Sequence, residues 1–249
     1  MLGNMRIKKD KVNLDYSNTK DFFDKRANKF NDKNPYSVTM YQDNNPEIVI
    51  ERNKKEIERL KPYLNLDGNS KLLDVACGIG RWADAISETI KEYCGIDFSS
   101  ELIQIALKRN TKHNFSFIEG SITDIKDVLI NNDKQNFNKI LMAGILMYLN
   151  DDDLISVLKQ VEWASSEKAI ICIREPIALI SRLTLKDFYS KELCDNYNAI
   201  YRTQKELLEI FDDTIISKGF KIKETGYLFN EDSLNNRKET TQYFFIFER

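Results

Sequence analysis

A short apolar run that leads directly into a glycine turn constrains the fold of this 249-residue chain more than any other feature. Residues 71–75 read Lys-Leu-Leu-Asp-Val, which is typical of a buried strand. Gly78, Gly80 and Ala83 then match the spacing G-x-G-x-x-G/A. In this pattern the first glycine permits a tight turn, the second lets the backbone approach a ligand, and the small third residue lets a helix pack against the strand. The segment therefore predicts a strand, a ligand-binding turn and the start of a helix.

Two acidic residues accompany this turn. Asp97 lies nineteen residues after Gly78, at the end of the next predicted strand, where a carboxylate accepts hydrogen bonds from both hydroxyls of a ribose. Asp74 lies inside the end of the first strand, where dinucleotide-binding turns seldom need an acid. The glycine spacing alone also fits a tight loop in an unrelated α/β domain, so the two acids carry the prediction of a nucleoside site.

The run Leu-Asp-Val-Ala-Cys-Gly-Ile-Gly at residues 73–80 resembles motif I of the class I S-adenosylmethionine-dependent methyltransferases. The resemblance implies that S-adenosyl-L-methionine is the methyl donor and S-adenosyl-L-homocysteine the product. It also implies that Asp74 orients the methionine end of the donor through its amino group and that Asp97 holds the ribose. The donor carries an ammonium, a sulfonium and a diol but no phosphate, so carboxylates suit it, whereas a pyrophosphate would require bare amides at a helix N-terminus. By this resemblance, the cofactor-binding residues are Asp74, Ala76, Cys77, Gly78, Gly80, Arg81, Asp97, Phe98, Ser121, Ile122 and Ala143.

For two parts of the expected donor site, the sequence allows more than one interpretation. Arg81, at the helix start, meets the methionine carboxylate in one interpretation and is only solvated in the other. Residues 120–124 fall where these enzymes contact adenine. Ser121 stands in place of the usual acid, whereas Ile122 is able to cover a ring face, and a turn without a ligand is the alternative.

Composition excludes several classes of protein. The net charge of -2 and the isoelectric point near 5.7 show no basic surplus, so we expect neither nucleic acid nor a membrane surface as a partner. A single histidine rules out a histidine-rich metal site, and no metal is expected. The four cysteines include no C-x-x-C pair and are expected to be reduced and buried. No apolar run approaches the roughly 18 residues of a membrane helix, and the polar start of the chain is no secretory signal, so we expect the protein in the cytoplasm.

The order of predicted elements indicates an α/β fold. Amphipathic helices are predicted at 21–30, from residue 46 to either 61 or 68, at 99–110, from residue 150, and from 203 to 218. The predicted strands are residues 71–75, 92–97, 115–119, 137–143, 168–173, 220–229 and 241–247. About 28 residues after Arg174 show no clear sheet pattern. With the resemblance, this order implies a Rossmann-like, doubly wound seven-stranded sheet that is mostly parallel, with an antiparallel last strand.

The length suits one sizeable core, so we expect residues 1–249 to form a single methyltransferase domain. An aromatic-rich N-terminal arm, residues 1–45, resembles the helical lid of small-molecule methyltransferases. Residues 46–174 are expected to form the cofactor-binding half and residues 175–202 a substrate-side insertion after strand five. Residues 203–249 are expected to form the closing helix and strand pair.

Candidate catalytic residues follow the carboxyl ends of strands, where doubly wound sheets carry their sites. Tyr148, after the fourth strand, either faces the transferred methyl group or packs in the core. The only histidine, His113, is expected at the opposite edge of the sheet, so a general base would be Glu175 or a tyrosine such as Tyr197 or Tyr201. An amine acceptor would instead arrive neutral and need only orientation. The predicted catalytic residues are Tyr148, Glu175 and Tyr201.

Arginines and tyrosines in the insertion suggest an anionic, hydroxylated acceptor. Arg174, Arg182 and Arg202 lie among tyrosines there, and arginine forks bind phosphates while aromatic faces stack on sugars. A charged, solvated face is the alternative. Residues 78–83 and 196–202 also loosely resemble methyltransferases of bacterial surface-polysaccharide or nucleotide-sugar pathways. The predicted substrate-binding residues are Tyr36, Tyr41, Arg174, Tyr189, Tyr197 and Arg202.

The sequence therefore predicts methyl transfer from S-adenosylmethionine to a small-molecule acceptor. We expect this acceptor to be sugar-like or phosphorylated and to react through oxygen or nitrogen. A nicotinamide-dependent oxidoreductase is one alternative because it shares the glycine spacing, although Asp74 and the paired last strands favour the methyltransferase. A non-catalytic binding subunit with the same fold is the other alternative.

Overall fold

A seven-stranded sheet forms the centre of the protein in the computed structural model, which describes residues 5–235 and 237–249. The strands, numbered in chain order, are β1 (Met5–Lys8), β2 (Lys71–Val75), β3 (Glu92–Asp97), β4 (Phe115–Glu119), β5 (Phe137–Ala143), β6 (Ser165–Ala178), β7 (Leu183–Ser190), β8 (Asp195–Tyr201), β9 (Lys221–Tyr227) and β10 (Thr240–Glu248). The α-helices are α1 (Tyr16–Ala27), α2 (Ser37–Met40), α3 (Pro46–Leu64), α4 (Arg81–Ala85), α5 (Ser100–Arg109), α6 (Ile125–Asn131), α7 (Asp151–Ala164) and α8 (Gln204–Thr214). Helices thus connect the successive parallel strands, as in βαβ units.

The strand order of the central sheet is β4-β3-β2-β5-β6-β10-β9. Neighbouring strands from β4 to β6 are parallel, whereas β10 runs antiparallel to both β6 and β9. Leu72, Leu73 and Val75 of β2 are fully buried, as expected of a parallel strand that is covered on both faces. The structure confirms the predicted Rossmann-like, doubly wound sheet with an antiparallel last strand.

Side-chain caps set the starts of two helices at the predicted positions. Ser99 accepts a hydrogen bond from the backbone N–H of Leu102 at 3.3 Å where α5 begins. Thr203 and Glu206 form a reciprocal capping box where α8 begins. These side chains satisfy backbone N–H groups that have no partner within the helix.

Helix α3 ends at a different residue than its sequence suggests. The predicted ends are the step at residues 61–62 and Gly68. The helix instead continues to Leu64, and the next residue, Asn65, has a left-handed φ of 46°. Leu60 and Leu64 are fully buried, and we attribute the helical last turn to their packing, although Pro62 donates no backbone hydrogen bond.

The insertion after strand five contains a hairpin that the sequence analysis does not predict. β6 continues to Ala178, and β7 and β8 then pair as an antiparallel hairpin. β1 pairs with β7 so that Met5 lies opposite Lys186, which completes a three-stranded sheet. The expectation of no clear sheet element after Arg174 is therefore wrong. Since β1 and β7 are far apart in the chain, local periodicity does not reveal their pairing.

The N-terminal arm covers the glycine turn. α1 begins directly after Asp15, whose side chain accepts a backbone hydrogen bond at 2.9 Å, and it buries Phe22 and Phe23. The helix thus starts earlier than predicted. α2 follows and lies against the turn, because Thr39 Cγ2 is only 2.8 Å from the place that a Cβ on Gly78 would take. The arm therefore has the position that the resemblance implies for a lid.

Cys77, Cys94 and Cys172 are buried, as predicted, but Cys194 is exposed in the turn of the hairpin between β7 and β8. The expectation of burial is wrong for Cys194 because the hairpin itself is not predicted. No helix in the described part of the chain has the length and apolar character needed to cross a membrane. Within the same part of the chain, no group of three or more histidine, cysteine or acidic side chains is arranged to hold a metal ion.

Candidate active site

The turn between β2 and α4 is the central feature of the site. Gly78 and Gly80 have φ angles of 56° and 74°, in the left-handed region that favours glycine. A Cβ on Gly80 would lie 2.8 Å from Nδ2 of Asn110 and 3.1 Å from Cε1 of Phe117. The backbone path and the close packing around it therefore explain both glycines of the motif.

Asp97 ends β3 beside this turn and is 3% exposed. Its Oδ2 accepts a hydrogen bond from the backbone N–H of Gly78 at 2.9 Å, and its Oδ1 accepts one from Ser99 at 3.0 Å. Burial raises the pKa of Asp97 to about 6, although these backbone donors act in the opposite direction. Each carboxylate oxygen has a further lone pair, so Asp97 is able to accept hydrogen bonds from a diol.

Asp74, in β2, is the second buried acid and is 2% exposed. Its Oδ2 accepts a hydrogen bond from the hydroxyl of Tyr93 at 2.5 Å, and burial raises its pKa to about 7. Asp74 borders a small cavity together with Arg81, whereas Asp97 borders the main cavity. The residues that border both cavities are Thr39, Met40, Ala76, Ala143 and Arg174. The two carboxylates thus lie along one cleft, as a ligand with an ammonium at one end and a ribose further along requires.

Glu56, on α3, connects the arginines around this cleft and is 1% exposed. It accepts hydrogen bonds from Nη2 of Arg81 at 2.5 Å and from Nε1 of Trp82 at 3.0 Å. Nη2 of Arg174 lies 3.0 Å from its other oxygen. Burial alone would raise the pKa of Glu56, but Arg174 and Arg81 bring it below its usual value. Arg81 is therefore held at the edge of the small cavity by Glu56, and the interpretation of a merely solvated side chain is wrong.

Sequence analysis misses two charged residues at this place, Arg52 and Glu56. Both belong to the buried stripe of α3, between Val49 and Leu60, and Arg52 borders the main cavity. The available signal is a basic and an acidic residue, four positions apart, that interrupt the apolar face of an amphipathic helix. Charged side chains on such a face need a partner or a ligand, because burial without one is costly.

A further cavity lies on the side predicted to hold adenine. Ser121, Ile122 and Thr123 border it, and Ala76 and Phe98 border both this cavity and the main one. Ser121 Oγ accepts a hydrogen bond from the backbone N–H of Thr123 at 3.2 Å, which shapes the turn. The structure thus brings the predicted adenine-contacting residues next to the cleft, and their contact with adenine remains a prediction.

Four tyrosine hydroxyls form a hydrogen-bonded chain at the wall of the main cavity, in the order Tyr41, Tyr148, Tyr197 and Tyr201. Tyr148 and Tyr197 are 3.3 Å apart, and so are Tyr197 and Tyr201. Burial raises the pKa of Tyr41 to about 12 and that of Tyr148 and Tyr197 well above the usual value. These three phenols therefore stay protonated near neutral pH and serve as hydrogen-bonding groups.

Glu175 does not face the cavity, which corrects its predicted role as a base. Its carboxylate accepts hydrogen bonds from the backbone N–H groups of Ile145 and Leu146 at 3.1 Å and of Met147 at 2.8 Å. Burial raises its pKa to about 7, with the backbone donors and nearby arginines acting in the opposite direction. Glu175 instead positions the loop after β5, which carries Tyr148 to the cavity.

Three predicted substrate-binding residues do not border the cavities described above. Arg202 is 2% exposed and binds Asp151 at 2.6 Å, together with two backbone carbonyls of the loop after β5. The hydroxyl of Tyr36 donates to Asp84 at 3.1 Å, and Tyr189 is half-exposed on β7. The buried ion pair corrects the expectation for Arg202, whereas contact of Tyr36 and Tyr189 with a substrate remains a prediction.

Fold and site together define the class of protein. A mostly parallel sheet with an antiparallel last strand, a central glycine turn and two buried acids along one cleft are features of class I S-adenosylmethionine-dependent methyltransferases. The chain belongs to the methyltransferase domain family, whose model matches residues 66–232. S-adenosyl-L-methionine is therefore its cofactor. Membership of this family identifies the protein as a methyltransferase, rather than a nicotinamide-dependent oxidoreductase or a non-catalytic binding subunit.

Known relatives show how far the similarity extends. The chain is 31% identical over 199 residues to a demethylmenaquinone methyltransferase from Staphylococcus saprophyticus. The matched region covers 77% of this chain and 81% of the relative. It is 24% identical over 166 residues to phosphoethanolamine N-methyltransferase 1 from Caenorhabditis elegans, with 66% of this chain and 32% of the relative covered. A solved structure of phosphoethanolamine N-methyltransferase 1 from Haemonchus contortus, with phosphoethanolamine and S-adenosylhomocysteine bound, matches with a TM-score of 0.66 at 18% identity. That match covers 92% of this chain and 48% of the other, and it concerns the fold alone.

Proposed function

We propose that this enzyme methylates a small, sugar-like or phosphorylated acceptor at an oxygen or nitrogen atom. The observation that carries the proposal is one main cavity that Asp97, the tyrosine hydroxyls and two arginines border together. The names of two relatives specify demethylmenaquinone and phosphoethanolamine, which supports a small acceptor. We also propose that residues 1–249 act as one domain with residues 1–45 as its lid. The reaction would take place in the cytoplasm, where the four free cysteines stay reduced.

The protein's own residues have a limited task in this reaction. The bound donor supplies an electrophilic methyl group, and the protein has to hold a nucleophile in line with it at roughly 3 Å. Asp97 would accept hydrogen bonds from the ribose, and Asp74 would hold the amino group. Phe23 and Thr39 of the arm border the cavity and would exclude water. Tyr148, on the loop that Glu175 positions, would orient the nucleophile.

The positions of the titratable groups favour an amine over an alcohol as the acceptor. An alcohol profits from a general base, but Glu175 is engaged with three backbone donors and His113 is exposed in the turn before β4. The raised pKa values of the buried tyrosines disfavour a tyrosinate near neutral pH. A neutral amine needs only a hydrogen-bond acceptor, which the hydroxyl of Tyr148 or Tyr201 offers.

A quinol-type ring is the second candidate acceptor. The similarity to a demethylmenaquinone methyltransferase favours it. The apolar side chains of Met40, Phe229 and Leu234 also border the main cavity and would suit a ring. This candidate would place a carbon atom, rather than nitrogen or oxygen, next to the methyl group.

Calorimetry with S-adenosylhomocysteine tests the donor site, and the absence of binding would contradict the proposal. Transfer of a labelled methyl group to ethanolamine, phosphoethanolamine, a nucleotide sugar and a demethylated naphthoquinol then tests the acceptor. Transfer to an amine or to the sugar is expected. Transfer to the naphthoquinol alone would select the second candidate.

A further inference from the structure

Arg52 is a buried cation without a partner at the main cavity. It lies on α3, is 4% exposed and borders the cavity. Its Nε and Nη1 atoms are buried and make no hydrogen bond, and no described carboxylate forms an ion pair with it. Burial lowers the pKa of Arg52, and the exposed carboxylate of Glu192 offsets this only in part. Two of the three guanidinium nitrogens are thus kept out of water without a hydrogen bond to the described residues.

Other buried arginines in the described chain are compensated. Arg26 is 2% exposed and binds both carboxylate oxygens of Asp43 at 2.6 Å. Arg202 binds Asp151 in the same way. An unpaired buried guanidinium is costly, because its charge leaves water without forming new interactions. An orphaned polar group of this kind in a cavity wall points to a ligand that completes its environment.

The buried acid on the same helix is already occupied. Glu56 lies one turn after Arg52 on α3, but it pairs with Arg81 and Arg174. Arg81 and Arg174 therefore share the carboxylate of Glu56, and no hydrogen bond or ion pair from it to Arg52 is formed. Nε of Arg174 is also buried and without a hydrogen bond, and both Arg52 and Arg174 border the main cavity. An anion that reaches both guanidinium groups would supply the hydrogen-bond acceptors that Arg52 and Nε of Arg174 lack.

We propose that Arg52 binds an anionic group of the acceptor, either a phosphate or a carboxylate, with Arg174 bordering the same subsite. The inference rests on the proposed function, because it places the acceptor in the main cavity. Guanidinium N–H groups bind the oxygens of such anions in pairs. Nη1 of Arg174 donates to Oε1 of Gln242 at 3.3 Å, and Gln242 and Thr240 of β10 border the same cavity. A neutral sugar would leave Arg52 unpaired, so the acceptor carries an acid group.

The carboxylate of the methyl donor is the competing occupant. Asp74 and Arg81, the residues expected near the methionine end of the donor, border the small cavity, and Arg52 does not. Arg52 instead borders the main cavity, as do Thr240 and Gln242. The two occupants predict different results when Arg52 is replaced, because one affects the binding of a separate anion and the other affects the affinity for the donor.

Thermal unfolding of the protein saturated with S-adenosylhomocysteine tests this inference, with sodium phosphate, acetate or chloride added at matched ionic strength. Phosphate or acetate is expected to raise the Tm of the wild-type protein above its value in chloride, and the more effective ion identifies the anionic group. Arg52→Met is expected to unfold at a higher temperature than wild type in chloride, because an unpaired buried charge is removed. It is also expected to bind the effective anion at least about tenfold more weakly. Lys54→Met removes an exposed cation from the same helix and should keep the anion effect.

Failure of this inference and failure of the proposed function give different results. No binding of S-adenosylhomocysteine contradicts methyl transfer itself. Binding of it without stabilisation by phosphate or acetate, or an unchanged anion effect in Arg52→Met, overturns the anion subsite. A loss of about tenfold in affinity for S-adenosylhomocysteine in Arg52→Met assigns Arg52 to the donor and also overturns it. Arg52→Gln serves for the same comparison if Arg52→Met does not fold, and the anion titration of the wild-type protein stands without either variant.

Discussion

The proposed donor side and the proposed acceptor side of the cleft are assembled in different ways. On the donor side, Asp74, Gly78 and Asp97 come from one continuous segment, which contains β2, the glycine turn, α4 and β3. On the acceptor side, the arm, α3, the loop after β5 and the hairpin each contribute side chains to the main cavity. A site built from one local segment is visible as a motif, whereas a site built from distant segments becomes visible only when the chain is folded.

The two sides also differ in charge. The donor side has two buried acids with raised pKa values, Asp74 and Asp97. The acceptor side has protonated tyrosines and the unpaired guanidinium of Arg52. Acids suit a donor with an ammonium and a diol, and a cation suits an anionic acceptor. The opposite charges would direct the donor to one end of the cleft and an anionic acceptor to the other.

Removing the charge of Glu56, which contacts arginines of both sides, is expected to have the largest effect. Glu56→Gln leaves Arg81 and Arg174 buried without their carboxylate, which is expected to lower the free energy of unfolding by about 3–5 kcal/mol. Chemical denaturation measures this, and Glu58→Gln, an exposed change on the same helix, is the control. A loss below about 1 kcal/mol would show that the two sides are not coupled through Glu56.

Replacing Asp97 tests the donor side alone. Asp97→Ala is expected to weaken the binding of S-adenosylhomocysteine by about 1–3 kcal/mol, because charge-assisted hydrogen bonds to the ribose are lost. Calorimetry measures the affinity, and thermal unfolding checks that the turn at Gly78 and Ser99 survives. Asp127→Ala, an exposed change on α6, is the control. Unchanged affinity in Asp97→Ala would mean that the ribose assignment is wrong.

Changes in pH are expected to affect the fold and the donor site in opposite directions. Burial raises the pKa of Asp74 to about 7 and that of Asp97 to about 6, from an ordinary value of 3.8. The folded protein therefore binds protons more readily than the unfolded chain, so the stability of the donor-free protein falls as the pH rises from about 4 to 7. The ammonium of the ligand needs a carboxylate, so the affinity for S-adenosylhomocysteine falls as the pH drops below about 7, by up to about tenfold per pH unit.

Calorimetry and denaturation over the same pH range measure the two trends. Asp74→Asn removes one titrating group and is expected to flatten the pH dependence of binding while lowering the affinity at high pH. Binding that improves as the pH falls would contradict the assignment of Asp74 to the donor's amino group.

Removing the hydroxyl of Tyr201 tests the acceptor side alone and is expected to have the smallest effect. Tyr201→Phe loses a hydrogen-bonding group at the cavity and the contact with Tyr197 at 3.3 Å. Turnover of the acceptor is expected to fall by an amount equivalent to about 0.5–1.5 kcal/mol, with unchanged affinity for S-adenosylhomocysteine. Tyr227→Phe, an exposed change on β9, is the control. Altered donor affinity in Tyr201→Phe would place this tyrosine on the donor side.

Much of the fold is predictable from local sequence patterns. The apolar runs that become β2 to β5, the cap at Ser99 and the capping box of Thr203 and Glu206 each involve residues close together in the chain. The three-stranded sheet is different, because β1 becomes a strand only by pairing with β7. The exposed position of Cys194 depends on that same hairpin.

For the site, the sequence by itself predicted the proposed donor end, since Asp74, Gly78 and Asp97 follow one motif with a fixed spacing. Only the tertiary structure decided that Glu175 holds a loop, that Arg202 pairs with Asp151, and that Arg52 stays unpaired. The physical reason is that the role of a charged side chain depends on its burial and on its partners. Those partners come from segments that the chain brings together only on folding.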